Sequence, residues 1–296
     1  MRATGHEHDL AGRWDVARPS RPGRISGIGM IGFRDLSAGP VAQPVFPHPA
    51  VTVILQFGEG NLLVEDAAGR EQRGSLVAGL GPQAIRMRGE RIECVEMRIS
   101  PVVAHAVLGT SLAELDHAVV AADDVWGRDA ARIGQQLCDS PSWTGRFALA
   151  EEWMARRHDA GRAPDPEVAW AWNRIMVSRG GIRVEELAVE VGWSRKRLWS
   201  RFRSQLGVPP KLAAKLVRFD CATRRLVAGD SAARVAAEGG YVDQSHLHRD
   251  VLAFTGMTPA RLAGYPGLVD HDIEWARPGT FLRSDDAAQS QSTTQR

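Results

Sequence analysis

From Arg24 to about Arg98, short apolar runs recur between turn residues: GIGMIGF, VTVILQF, NLLVED, GSLVAGL and CVEMRI. Runs of this length, bounded by Gly, Pro and charged residues, predict strands packed on one core. From Pro101 the apolar positions change to a spacing of three and four. VVAHAVLG, SLAELD, DAARIGQQLCD and RFALAEEWMARRHDA predict helices, with Ser111 and Asp129 as caps. Residues 159–166 (DAGRAPDP) break the pattern with two prolines and a glycine and read as a linker. Beyond them, residues 167–264 are helical in texture almost throughout. The fold class expected is α+β, divided into four parts. Residues 1–24 form a flexible tail, and residues 25–160 a β-rich domain with C-terminal helices. Residues 165–265 form an all-α domain, and 266–296 a polar tail.

The all-α region contains an internal repeat. LAVEVGWSRKRLWSRFRSQLGVPP begins at Leu187 and VAAEGGYVDQSHLHRDVLAFTGMTP at Val235. Ala188 aligns with Ala236, Gly192 with Gly240 and Trp193 with Tyr241 at an offset of 48. After one extra residue, Leu198 aligns with Leu247, Phe202 with Val251, Gly207 with Gly256 and Pro210 with Pro259 at 49. In each copy a helix stops at a glycine able to take the left-handed conformation. An aromatic then fills the angle, and Ser194 or Asp243 caps a second helix. Two helices joined by so short a turn form a helix-turn-helix. Units are therefore expected at about 184–205 and 232–255, joined by a long linker helix over KLAAKLVRFDCATRRLVAG.

The face of each second helix follows from about 100° of rotation per residue. Leu198, Phe202 and Leu206 point inward in the first copy, leaving Lys196, Ser200 and Arg203 outward with Arg197 and Trp199 on the flanks. In the second copy Leu247, Val251 and Phe254 point inward, and Gln244, Ser245, His246, His248 and Arg249 stay near the exposed end. Both outward sets carry donors suited to phosphates and base edges.

The net charge of +2 says little, but its distribution adds to this picture. Residues 165–265 hold 16 Lys and Arg against 10 Asp and Glu, and the remainder holds 21 against 25. A basic C-terminal region beside an acidic remainder fits a nucleic-acid module joined to something else. No apolar run approaches the roughly 20 residues of a membrane span, and the N-terminus lacks the apolar stretch of a signal peptide, so no membrane association and a cytoplasmic location are expected. Cys94, Cys138 and Cys221 are too widely spaced for a zinc site and suit reduced thiols.

LAVEVGWSRKRLWSRFRSQLGVPP, RFDCATRRL and GGYVDQSHLHRDVLAFTGMTP together resemble the AraC/XylS family of bacterial transcription regulators, over residues 166–264. The resemblance implies double-stranded DNA as the partner, with the second helix of each unit in the major groove. It further implies that Lys196, Trp199 and Ser200 face bases in the first unit, and Gln244, Ser245, His246 and Arg249 in the second. Trp199 and Ser200 depart from the polar and basic side chains frequent there, which points to apolar contact and shape readout. Asp250, beside Arg249, would repel a phosphate or orient that arginine. Residues 100–127 resemble a segment of some AraC-type N-terminal domains, implying a domain that binds a small-molecule effector, forms a homodimer, or does both. RNA polymerase is a partner if the protein activates.

Other chemistries are weaker. His246 and His248, at i and i+2, point to different helix faces and cannot share one metal ion well. Cys94 stands near Glu93 and Glu96, which disfavour a thiolate, so a buried strand cysteine is the better reading. No catalytic group, metal or cofactor is expected. The alternatives are a non-specific architectural DNA-binding protein, or an N-terminal enzyme targeted to DNA.

Overall fold

The computed structural model describes residues 6–8, 13–115 and 118–265, with the backbone alone for residues 6–8. The predicted polar tail at 266–296 lies outside them. Strands come first: β1 (His6–His8), β2 (Trp14–Ala17), β3 (Ile28–Asp35), β4 (Val41–Val45), β5 (Val51–Phe57), β6 (Asn61–Glu65), β7 (Glu71–Arg73), β8 (Leu76–Ala78), β9 (Ile85–Glu90) and β10 (Glu93–Ile99). Helix α1 (Pro101–Leu108) and a 3-10 turn (Leu112–Leu115) follow, then strand β11 (Val119–Ala121). After these the chain is helical: α2 (Ala122–Trp126), α3 (Arg128–Asp139), α4 (Trp143–Ala160), α5 (Pro166–Val177), α6 (Val184–Glu190), α7 (Arg195–Leu206), α8 (Pro210–Val227), α9 (Ala232–Glu238), α10 (Gln244–Thr255) and α11 (Pro259–Ala263). This is the α+β arrangement of a β-rich part, trailing helices and an all-α region.

The strands form two antiparallel sheets, ordered β1-β2-β3-β10-β5-β8-β11 and β4-β9-β6-β7. On β5, alternate residues Val51, Val53, Leu55 and Phe57 are buried, the period-two signature of a strand with one face on a core. Helices α3 and α4 close over the larger sheet. Trp143, at the start of α4, lies so close to β3 that an added Cβ at Gly32 would stand 2.4 Å from its ring. Arg146 lies over the Phe57 ring at 4.5 Å and donates from Nε to the Leu137 carbonyl.

Several expectations are corrected. Residues 1–24, read as a flexible tail, contain β1 and β2. The latter pairs with β3, matching Trp14 with Asp35 and Val16 with Phe33, and Trp14, Val16 and Ala17 are buried. Four residues among prolines and glycines carry too little periodicity to announce a strand; the partner β3 supplies it. Strand β11 interrupts the stretch read as wholly helical and pairs with β8. Asp129 is no cap: it lies inside α3, whose N-cap is Gly127, and pairs instead with Arg157. Ser111 does receive the amide of Ala113, but its hydroxyl also donates across the fold to the Ser204 carbonyl at 2.6 Å. The segment read as a linker is packed, since a Cβ at Gly161 would meet the Ala106 carbonyl oxygen at 2.2 Å.

Cys94 is buried in β10, and desolvation, reinforced by Glu96 and Glu93, pushes its pKa far up. A thiol so disfavoured as thiolate is a poor nucleophile.

Candidate nucleic-acid interface

The sequence repeat becomes a structural repeat of helix triples: α6, α7 and α8 match α9, α10 and α11. Helices α7 and α10 have 12 residues each, and the local reasons are the same in both copies. Ser194 Oγ accepts the Arg197 amide and Asp243 Oδ1 accepts the His246 amide, satisfying donors that a helix start leaves unpaired. The turn glycines Gly192 (φ 66°) and Gly240 (φ 74°) are left-handed, as are the C-caps Gly207 (φ 82°) and Gly256 (φ 69°). Leu198, Phe202 and Leu206 are fully buried on one side of α7, as are Leu247, Val251 and Phe254 on α10. Phe254 meets Phe219 of α8 with centroids 4.7 Å apart, so the 18-residue α8 joins the packing of the second unit.

With those faces inward, the candidate residues lie as follows. Lys196, Arg197, Trp199, Ser200 and Arg203 are exposed on α7, Trp199 retaining 46% of its surface. Gln244, Ser245, His248 and Arg249 are exposed on α10. His246 is half-buried, its ring edge-on to Tyr241 at 5.3 Å and its Nε2 3.8 Å from Asp250. Arg197 lies over the Trp193 ring at 4.3 Å and Arg203 over Trp199 at 5.3 Å. These cation–π contacts leave the charges in solvent and fix the guanidinium planes.

Ion pairing sorts the arginine run RKRLWSRFR. Arg195 pairs with Glu185 at 3.1 Å, and Arg201 makes a two-pronged pair with Asp165 at 2.7 and 2.9 Å. For Lys196, Arg197 and Arg203 no carboxylate partner occurs among the described residues, so these cations stay available to an outside anion. Lys211, exposed at the start of α8, is a further cation of this kind. The helical phase of α7 could not reveal it, because it opens the next helix.

Asp250 departs from both readings of it. It is buried, with 5% of its surface exposed, and accepts Lys215 Nζ from α8 at 3.0 Å. It therefore neither meets a phosphate nor orients Arg249, whose Nε donates to the Ser245 carbonyl. Trp172 is fully buried while Trp170 is half-exposed under Arg174.

The N-terminal half grips the C-terminal end of α7. His105 Nδ1 of α1 lies 3.2 Å from the Gln205 carbonyl, Ser111 bonds Ser204, and the Asp165 amide donates to Gln205 Oε1 at 2.8 Å. Gly207 sits against Leu112: a Cβ there would stand 2.9 Å from the Leu112 carbonyl oxygen. Burial lowers the His105 pKa, and because a carbonyl oxygen only accepts, Nδ1 carries the N–H of this bond.

A family description, "Helix-turn-helix domain", matches residues 187–264. A comparison with curated proteins found no match. Among solved structures, ToxT from Vibrio cholerae is similar at 10% identity, over 80% of this chain and 98% of that one, with a TM-score of 0.47. The AraC-like transcriptional activator CuxR is similar at 14% identity, over 83% and 99%, with a TM-score of 0.33. The C-terminal domain of AraT, a response regulator from Geobacillus stearothermophilus, is similar at 20% identity, over 33% and 84%, with a TM-score of 0.32.

Proposed function

We propose, from the premise that residues 187–264 are a helix-turn-helix domain of the AraC type, that this chain is a sequence-specific DNA-binding regulator of bacterial transcription. In this reading α7 and α10 each enter a major groove of one duplex. A single observation carries it: two helices of equal length, at equivalent places in a repeated frame, each expose a polar and cationic face. The 18-residue α8 between them spans about 27 Å at 1.5 Å per residue, comparable with the roughly 34 Å between successive major grooves.

Roles divide by chemistry. Arg197 and Arg203 supply salt-dependent attraction to phosphates, and on α10 the exposed His248 stands next to Arg249. Lys196, Trp199 and Ser200 in the first unit, and Gln244, Ser245, His246 and Arg249 in the second, face the base edges. The β-rich half senses a small effector or pairs two copies of the chain. The contacts of His105 in α1 and of Ser111, just before the 3-10 turn, with the end of α7 support that regulatory role, because anything that moves them moves a recognition helix. RNA polymerase would be a partner of an activator, acting in the cytoplasm where promoters lie.

Titration of the purified chain with operator and random duplexes tests the reading. Arg203→Ala weakens binding to both and lowers the salt slope by about one. Gln244→Ala redistributes base preference, costing about 1–3 kcal/mol of discrimination at its base pair. Equal losses for Gln244→Ala on both duplexes would remove it from base readout. Wild-type affinity independent of sequence at fixed salt would make the protein architectural instead.

A further inference from the structure

A cleft of about 400 Å³ opens between α1, α3 and α4, with no residue of the helix-turn-helix units in its lining. Its lining combines two chemistries. Val107 and Ile133, both buried, and the Trp153 ring give it an apolar floor. Arg132, Arg156 and Arg157 give it a cationic rim.

The three arginines differ in how they are held. Arg157 is fixed: its guanidinium lies 4.9 Å from the Trp153 ring centre and 5.3 Å from that of Trp126, and NH2 donates to Asp129 at 2.9 Å. Its Nε is buried without a hydrogen-bond partner. Burial lowers its pKa, with the Asp129 carboxylate opposing. Arg156 reaches Glu152 at 3.2 Å, an exposed pair that water screens. Arg132 is exposed, and no carboxylate partner occurs for it among the described residues. Asp129 is the one carboxylate in the lining, so the cationic groups outnumber it.

We infer that this cleft binds a small organic carboxylate, its apolar body on Trp153, Ile133 and Val107 and its carboxylate held by Arg132 and Arg156 beside the fixed Arg157. A cleft of this size is within the range of small-molecule sites, roughly 300–1,000 Å³. Guanidinium groups bind carboxylates through paired N–H donors, and the stacked Arg157 adds a fixed positive charge beside them. An anion without an apolar part leaves the floor wet, and an apolar molecule without charge leaves the rim unpaired. The site therefore selects for both.

This names the effector class left open above and rests on that sensing role. The far walls of the cleft give it a route to DNA binding. Gly161, at its edge, is wedged against Ala106 of α1, and the preceding residue in α1, His105, touches the end of α7.

Phenylacetate is a suitable probe, with 2-phenylethanol as its neutral counterpart and inorganic phosphate as an anion without an apolar body. Calorimetric titration of the full chain, followed in parallel by tryptophan fluorescence, is expected to show saturable binding of phenylacetate alone. Arg132→Gln with Arg156→Gln weakens it about tenfold or more, as expected for losing charge-assisted hydrogen bonds. Gln136→Trp, at an exposed position on the rim, abolishes it by filling the cleft. All three substitutions are at exposed positions, and an unchanged thermal melt shows that the fold survives. Equal binding of 2-phenylethanol, no saturable binding of phenylacetate, or affinity unchanged in both variants would each overturn the site. No DNA is present in the titration, so such a failure leaves duplex binding, measured separately, intact. Loss of duplex binding by the wild-type chain would condemn the regulator reading instead.

Discussion

Gly207 and Gly256 occupy the same place in the two repeat copies and make the same left-handed turn, yet their surroundings differ. Around Gly256 an added Cβ meets nothing within 4 Å, so Gly256→Ala pays only the conformational penalty, about 1 kcal/mol. Around Gly207 the same methyl would press on the Leu112 carbonyl, adding a steric cost. Chemical denaturation of both variants is expected to rank Gly207→Ala as clearly the less stable. Only that variant should raise proteolytic cleavage near residues 161–165, where the two halves meet; equal behaviour would mean they do not pack there. The caps give a second check at this scale. Asp243→Ala removes the acceptor for the His246 amide and is expected to cost about 1 kcal/mol, as is Ser194→Ala in the other copy. The glycine turns and caps of the two repeat copies were legible in the sequence because each depends on residues within one helical turn, whereas Asp129, read as a cap, lies inside its helix. The inward rotation of Asp250 was not, since its partner Lys215 lies on another helix.

Among elements, α8 does more than separate the two units. Its Phe219 packs on Phe254, and Lys215 neutralises Asp250 of α10, a carboxylate with 7% of its side chain exposed. Lys215→Met would leave that carboxylate buried with, among the described residues, the more distant His246 as its remaining ion-pair partner. The expected loss is about 2 kcal/mol by chemical denaturation, since an unpaired buried charge costs more than a surface pair returns. Asp250→Asn added to Lys215→Met should recover part of it; no recovery would show that packing, not charge, is what Lys215 contributes. The helices of this region were readable from periodicity alone, because each buries one continuous stripe. The short strands were less so. Strands β2 and β11 have only four and three residues and exist because β3 and β8 offer them hydrogen-bond partners.

At the scale of the molecule, Asp165 ties the segment between α4 and α5 to α7. Burial acts to raise its pKa, but hydrogen bonds and charge from Arg201, with Gln205, outweigh this and leave it below the ordinary 3.8. A carboxylate depressed in the folded state contributes stability that is fully present above its unfolded pKa near 3.8 and is lost as pH falls through the lower folded value. Asp165→Asn is therefore expected to lower stability at neutral pH by on the order of 1 kcal/mol, the pair being partly exposed. Thermal melts across pH should show the difference between variant and wild type shrinking below that value. A difference that persists unchanged in acid would show that the effect does not come from the charge of the carboxylate, since the backbone bond from residue 165 to Gln205 is kept in the variant.

What the sequence by itself determined is the doubled helix-turn-helix frame: its glycine turns, caps and buried stripes, and the outward position of Lys196, Arg203, Gln244 and Arg249. Those features depend on neighbours a few residues away, and a helix repeats every 3.6 residues whatever surrounds it. Only the tertiary structure decided which charges remain free, because the partners that consume them come from distant parts of the chain. Arg201 and Arg203 are alike on the page, yet one is bound by a carboxylate 36 residues earlier and the other faces solvent. The arginine-rimmed cleft likewise comes into being only when α1, α3 and α4 pack together, which no periodicity along the chain records.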